Sequence, residues 1–207
     1  MKKCLIFFIT FFIIGVWCTG LAGAASYTYV MGNSSYIDVS ATADPALVME
    51  YTINPGLSGL TFGLNVGESN TFSFAQIGTS ESWINEDDLT PKTIIAYVDF
   101  DNPDITQSLN GTSVGFAGEL LFNQGWTITW DGPVTVNFGT GGQFVIALSD
   151  ASYESGWWTG PDGFDCIAAT VTHLADPTTN GVPEPATLLL LGLGLIGVFG
   201  IRKKIHS

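Results

Sequence analysis

Polar and apolar residues alternate along the middle of the chain, as they do in strands that bury one face and expose the other. The alternating runs lie at residues 71–74, 94–100, 126–130, 134–138 and 144–148. A further run, residues 167–174, is rich in β-branched side chains.

Dipeptides that favour tight turns with positive φ separate these runs. They are Asn110-Gly111, Asp131-Gly132, Gly141-Gly142 and Asp162-Gly163. The same region has no long run with the 3.6-residue period of a helix. Roughly eight to ten short strands at this spacing predict an all-β fold, namely a single antiparallel β-sandwich or jelly roll.

The N-terminal end has a different pattern. Met1-Lys2-Lys3 is positively charged, residues 5–17 are almost wholly apolar, and Ala22-Gly23-Ala24 offers small residues to a peptidase. This order is typical of a secretory signal peptide. We therefore expect residues 1–24 to direct the chain to the export translocon and to be removed by signal peptidase. The alternative is an uncleaved anchor helix.

The C-terminal end consists of three short segments. Val182-Pro183-Glu184-Pro185 comes first, and its two prolines cannot enter a helix interior. Residues 186–201 carry no charge and are predicted to form a hydrophobic helix, which reaches roughly 24 Å and is slightly short for a membrane. Arg202-Lys203-Lys204 forms a basic stop that stays on the cytoplasmic side.

This succession resembles the PEP-CTERM sorting signal of Gram-negative bacteria, and the resemblance is confined to residues 182–207. It implies that an exosortase, a membrane-embedded transpeptidase-like enzyme, reads Pro183, Glu184 and Pro185 at the inner membrane. Processing near this motif would remove the helix. It also implies display at the cell surface or in the extracellular matrix together with exopolysaccharide, as in a biofilm. The alternative is a plain single-span anchor behind a Pro-rich stalk.

Charge is distributed unevenly over the 207 residues. Of the six basic residues, Lys92 alone lies outside the two terminal segments, whereas every acid except Glu184 lies between them. Eighteen acids and one lysine give this body a net charge of −17. Such a body cannot neutralise phosphates, which excludes nucleic-acid binding. Its many aromatic residues argue against disorder, so we predict one acidic domain at residues 25–175 and a polar linker at residues 176–181.

One acidic cluster is a candidate metal site. Asp99, Asp101 and Asp104 supply carboxylates at close spacing around a predicted turn. Calcium takes six to eight oxygen ligands in flexible loops, so these residues are a candidate site for one Ca²⁺. The glycine and glutamate of an EF-hand are missing from their places. The alternative is a solvated acidic loop.

A pair of tryptophans is a candidate sugar site. Trp157 and Trp158 lie in a loop with Asp162 and Asp165, where rings would stack on sugars and carboxylates would bond their hydroxyls. The alternative is that one tryptophan packs on the core while the other covers its edge.

Gly111-Thr112-Ser113-Val114-Gly115 has the form G-x-S-x-G of a hydrolase nucleophile. Asp150 or Asp165, followed by His173, would complete a triad in the expected order. The predicted β-rich fold disfavours this, because the motif needs a strand, a sharp turn and a helix. His173 is instead expected to be a surface residue or a residue satisfied by hydrogen bonds. Cys166, the one cysteine left after signal removal, is expected to be buried; the alternative is an exposed thiol that pairs between chains.

These observations favour a non-enzymatic, exported surface or matrix protein. Two alternatives stay open: a carbohydrate-binding module that recognises a defined glycan, and a secreted hydrolase acting through Ser113.

Overall fold

The computed structural model describes residues 26–43, 46–118, 123–155 and 160–178. The predicted signal peptide and C-terminal helix lie outside these ranges. Among the described residues, no helix has the length and apolarity needed to cross a membrane. These ranges contain twelve strands and one 3₁₀ turn, Ser40–Thr42. The strands are β1 (Tyr27–Met31), β2 (Tyr36–Asp38), β3 (Glu50–Ile53), β4 (Thr61–Leu64), β5 (Ser69–Gly78), β6 (Lys92–Asn102), β7 (Ile105–Phe116), β8 (Gly125–Trp130), β9 (Val134–Phe138), β10 (Gly142–Leu148), β11 (Ala151–Glu154) and β12 (Phe164–Ala175).

The strands form two antiparallel sheets, which confirms the all-β class. The seven-stranded sheet has the order β11-β8-β7-β6-β1-β4, with β2 also paired to β6. The five-stranded sheet has the order β3-β5-β12-β10-β9. The chain changes sheet repeatedly, and the five-stranded sheet is complete only when the last strand, β12, has paired with β5 and β10.

The alternating pattern decides which side chains face inward. In β6 the side chains of Ile94, Ala96, Val98 and Phe100 are buried, as their spacing predicts. The same phase is confirmed in β8, where every second residue, beginning with Trp126, is buried.

Aromatic side chains connect the two sheets. The ring of Phe144 on β10 lies 5.5 Å from that of Tyr29 on β1 and 5.3 Å from that of Phe100 on β6. Phe62 on β4 and Phe72 on β5 are 5.6 Å apart. The facing sides of the sheets therefore share one hydrophobic core.

The prediction of a turn at Asn110-Gly111 is wrong, because both residues lie inside β7. Gly111 pairs with Ile94 on β6 and with Trp130 on β8. A Cβ atom at Gly111 would lie 2.6 Å from the Cε3 atom of Trp130. The glycine is therefore needed to make room for an indole ring. The turn at Asp131-Gly132 is confirmed, since it joins β8 to β9 and Gly132 has a φ of 105°.

The prediction that Cys166 is buried is also wrong. Its neighbour Ile167 faces the core, so the alternation of β12 turns Cys166 to the outer side of the sheet, where it is exposed. There the Nε2 atom of Gln76 lies 3.8 Å from its Sγ atom.

Candidate functional site

The structure shows how the chain leaves the folded body on its way to the predicted sorting motif. Pro183, Glu184 and Pro185, and the basic stop at Arg202-Lys203-Lys204, lie outside the described residues. β12 ends at Ala175, and residues 176–178 continue from it. The candidate site is built around the last inward-facing residue of β12, His173.

His173 lies between the two sheets and has no exposed surface. Its Nδ1 atom is 2.7 Å from the hydroxyl oxygen of Tyr29 on β1. Its Nε2 atom is 3.0 Å from the Oδ1 atom of Asp176, just beyond the end of β12. The ring of Tyr27 stacks on the imidazole with centroids 5.6 Å apart. One buried ring thus joins both sheets to the start of the linker.

Burial keeps the phenol of this network protonated. It raises the pKa of the Tyr29 phenol, and the nearby Tyr27 and Asp176 raise it further. The Tyr29 hydroxyl shares a hydrogen bond with Nδ1 of His173. On the other side of the ring Nε2 is the donor, because the Asp176 carboxylate offers only acceptor oxygens. The prediction of a satisfied histidine is confirmed, whereas a surface position is wrong.

The linker is held at a second place. The backbone N–H and the hydroxyl of Thr178 both donate to the carbonyl oxygen of Thr140, at 2.7 and 2.8 Å. Thr140 lies in the turn between β9 and β10, beside Gly139. A Cβ atom at Gly139 would lie 3.0 Å from Pro177, so the chain packs closely there. We call residues 176–178, with their contacts to His173 and Thr140, the linker dock.

One residue of the predicted calcium site, Asp99, is hydrogen-bonded within the chain. Asp99 and Asp101 lie in β6, and Asp104 follows in the turn before β7. The Oδ2 atom of Asp99 accepts the backbone N–H of Ser34 at 3.0 Å, and Oδ1 accepts the hydroxyl of Thr106 at 2.8 Å. Across the described ranges, no group of three or more His, Cys, Asp or Glu residues is placed to hold a metal ion. The calcium site stays a prediction.

The predicted sugar site falls partly outside the described residues, because Trp157 and Trp158 are not among them. Asp162 is exposed. Asp165 is engaged within the chain, where its carboxylate accepts the backbone N–H groups of Ser152 at 3.0 Å and Cys166 at 2.8 Å. This site also stays a prediction.

The structure does not bring the suggested hydrolase residues together. Ser113 is buried in the middle of a strand, paired with Lys92 on β6 and Ile128 on β8, so it does not lie on a sharp turn before a helix. The carboxylate of Asp150 accepts the backbone N–H of Trp130 at 3.0 Å. Both nitrogens of His173 are bonded to Tyr29 and Asp176 rather than to a serine.

Comparison with known families now adds to this geometry. Residues 181–204 match the family model of the PEP-CTERM protein-sorting motif. The tail is a PEP-CTERM sorting signal. The match confirms the resemblance and implies export, sorting at the membrane by an exosortase, and arrival at the surface. No curated protein and no solved structure matches the chain.

Along the chain, the linker dock lies between the folded body and the matched tail. The sequence predicted a featureless polar linker here, and the contacts of Asp176 and Thr178 were missed. A signal was present in the alternation of β12, which turns His173 to the same side as Ile167 and Val171. A polar residue at an inward position needs partners, and an acid follows three residues later.

Proposed function

We propose that the protein is a non-enzymatic surface or extracellular-matrix protein of a Gram-negative bacterium. In this proposal its β-sandwich body is exported by the signal peptide, and its tail is processed by an exosortase at the inner membrane. The observation that carries the proposal is the sorting motif at residues 181–204. The acidic body, with Lys92 as its single basic residue, suits a cargo that stays in solution and does not bind other polyanions.

The outer face of the five-stranded sheet supports an association with exopolysaccharide. Hydroxyl groups on neighbouring strands pair there, Ser69 with Thr172 and Thr71 with Thr170, each at 2.8 Å. Ser73 on β5, which pairs with Ala168, is also exposed. Hydroxyl groups placed in this way can form hydrogen bonds with hydrated polysaccharide.

The absence of catalysis in this proposal is supported by the bonds of the residues that had suggested an enzyme. Ser113 lies in mid-strand, and His173 is buried with both nitrogens engaged. These positions hold the fold together, as the buried ring between the sheets illustrates.

Substitution of the motif tests the proposal. In cells that contain an exosortase, Pro183→Ala combined with Glu184→Ala should leave the full-length form in the inner membrane, because the enzyme no longer recognises its substrate. Asn180→Ala is the matched control, since residue 180 lies in the linker, outside the matched residues 181–204. Membrane fractionation with an antibody to the body measures the result. Equal processing of the double variant and the control would contradict the proposal.

A further inference from the structure

The linker dock lies close to the sorting motif along the chain. Residues 179–182 are all that separates Thr178, the last docked residue, from Pro183. A fully extended chain advances at most about 3.6 Å per residue, so Pro183 can be no farther than about 18 Å from Thr178. If the dock were released at Ala175, the same limit would grow to about 29 Å.

This difference bears on how a membrane enzyme reaches the motif. A body of this size has a radius of gyration of about 15 Å. An 18 Å tether therefore holds the surface of the body near the membrane while the motif is bound. Release of the dock would add more than half of that length again. The dock thus sets the space that is available between the body and the enzyme.

We propose that the linker dock, with Asp176 bonded to His173 and Thr178 bonded to Thr140, is a positioning element that fixes the distance between the folded body and the exosortase motif. This inference rests on the proposed function. Asp176 and Thr178 precede the motif along the chain, and in this proposal they act through the length of chain that they leave free.

The contacts explain why the dock holds. Asp176 accepts a hydrogen bond from Nε2 of a wholly buried imidazole, and a buried polar atom that loses its partner destabilises the fold. Thr178 gives two hydrogen bonds to one carbonyl oxygen, that of Thr140. Pro177 between them has a fixed φ, so less backbone entropy is lost when the linker is ordered.

A deletion combined with release of the dock tests the proposal in the full-length protein. Removal of Thr179 and Asn180 shortens the limit from Thr178 to Pro183 to about 11 Å. Processing by the exosortase should then slow by about tenfold or more, because a tether that cannot span its sites allows little engagement. Asp176→Ala with Thr178→Pro removes the carboxylate, the N–H and the hydroxyl of the dock. In the shortened chain this pair should restore the rate to within about twofold of wild type.

The matched control is the same deletion with Glu86→Ala, an exposed acid between β5 and β6. It should stay slow, because the dock is intact. Pulse-chase labelling measures the rates. Unslowed processing of the deletion, or failure of the release pair to restore it in a protein that is still folded, would overturn the positioning role. Failure of the wild-type tail to be removed at all would instead overturn the proposed function.

Amide hydrogen exchange on the same full-length chain gives a readout that does not depend on the enzyme. The N–H of Thr178 should exchange slowly in wild type, since it is bonded to Thr140, and rapidly after Asp176→Ala. Rapid exchange at Thr178 in the wild-type protein would also overturn the dock.

Discussion

Two segments at the ends of long strands use a carboxylate in different ways. At the end of β6, Asp99 accepts hydrogen bonds from Ser34 and Thr106, which belong to the same sheet or to the loop beside it. Beyond the end of β12, Asp176 accepts a hydrogen bond from His173, which is itself bonded to the other sheet through Tyr29. The first carboxylate connects groups that are close to it in the same sheet and the adjacent loop, whereas the second connects both sheets to the linker.

The comparison shows that the parts of the fold that a carboxylate connects depend on its hydrogen-bond partner. The partners of Asp99 are a backbone N–H in the loop after β1 and a hydroxyl on β7, and neither lies on the other sheet. An imidazole has two ring nitrogens, so His173 forms hydrogen bonds on both sides and connects Tyr29 to Asp176 through the core. The acid-rich segment around Asp99 is therefore a local structural element, and the less conspicuous Asp176 influences where the chain leaves the body.

The largest expected effect comes from the ring that joins the two sheets. His173→Ala should lower the free energy of unfolding by about 3 kcal/mol, because it leaves a cavity and a buried Tyr29 hydroxyl without a partner. Urea denaturation of the purified protein measures this change. A loss below about 1 kcal/mol would show that the buried network does not link the sheets.

A smaller effect is expected at the other segment. Asp99→Ala should cost about 1.5 kcal/mol, since the Ser34 amide and the Thr106 hydroxyl each lose an acceptor. Asp104→Ala, in the exposed part of the turn, should leave the urea midpoint unchanged. Equal effects of the two substitutions would contradict the role given to Asp99.

The effect of Ca²⁺ on the melting temperature is a further test of the segment around Asp99. An ion bound at the predicted site would stabilise the body by about 2.7 kcal/mol at a hundredfold excess over its Kd. The bonds of Asp99 within the chain instead predict equal melting temperatures with millimolar Ca²⁺ and with chelator. A rise with Ca²⁺ that disappears in Asp101→Asn would establish the calcium site.

The smallest expected effect is a pH dependence of stability, which arises from one carboxylate near each of the two segments. Glu68, whose backbone carbonyl accepts the N–H of His173, has its pKa lowered from the ordinary 4.5 by the backbone N–H and then the side chain of Asn65. The pKa of Asp38, on the strand paired to β6, is lowered from 3.8 by the backbone N–H and side chain of Ser40. Both carboxylates stabilise the fold above these ordinary values, and the stabilisation is lost as the pH falls through the lower folded-state pKa.

Melting temperatures measured from about pH 6 down to about pH 3, across the ordinary pKa range of carboxylates, test this expectation. Glu68→Gln and Asp38→Asn should each make the decline slightly shallower. A steeper decline in either variant would show that the sign is wrong.

Much of the fold could be predicted from alternation alone. The phase of β6 and β8 came directly from the spacing of residues such as Ile94 and Trp126. The same rule, applied to β12, would have placed Cys166 outward and His173 inward. The turn at Asn110-Gly111 could not be predicted correctly, because the need for glycine arises from Trp130, which is distant in sequence and reaches Gly111 only once β7 and β8 pair.

Of the candidate site, the sorting tail could be predicted from the sequence, whereas the linker dock could not, because its contacts are distant in sequence. The sorting tail is a continuous motif, so its residues could be read in order and the comparison with families confirmed it. The linker dock depends on Tyr29 and Thr140, which are brought to the end of β12 by pairing across the whole chain. Contacts at such sequence separation leave no local pattern.

Intact-mass spectrometry of the wild-type protein tests the central claim most directly. The protein is expressed in otherwise identical cells with and without an exosortase, and the masses of the mature forms are compared. Export followed by sorting predicts a form that lacks residues 186–207 when the exosortase is present, and one that keeps them when it is absent. A mature form that still ends at Ser207 in cells with the exosortase would contradict the account.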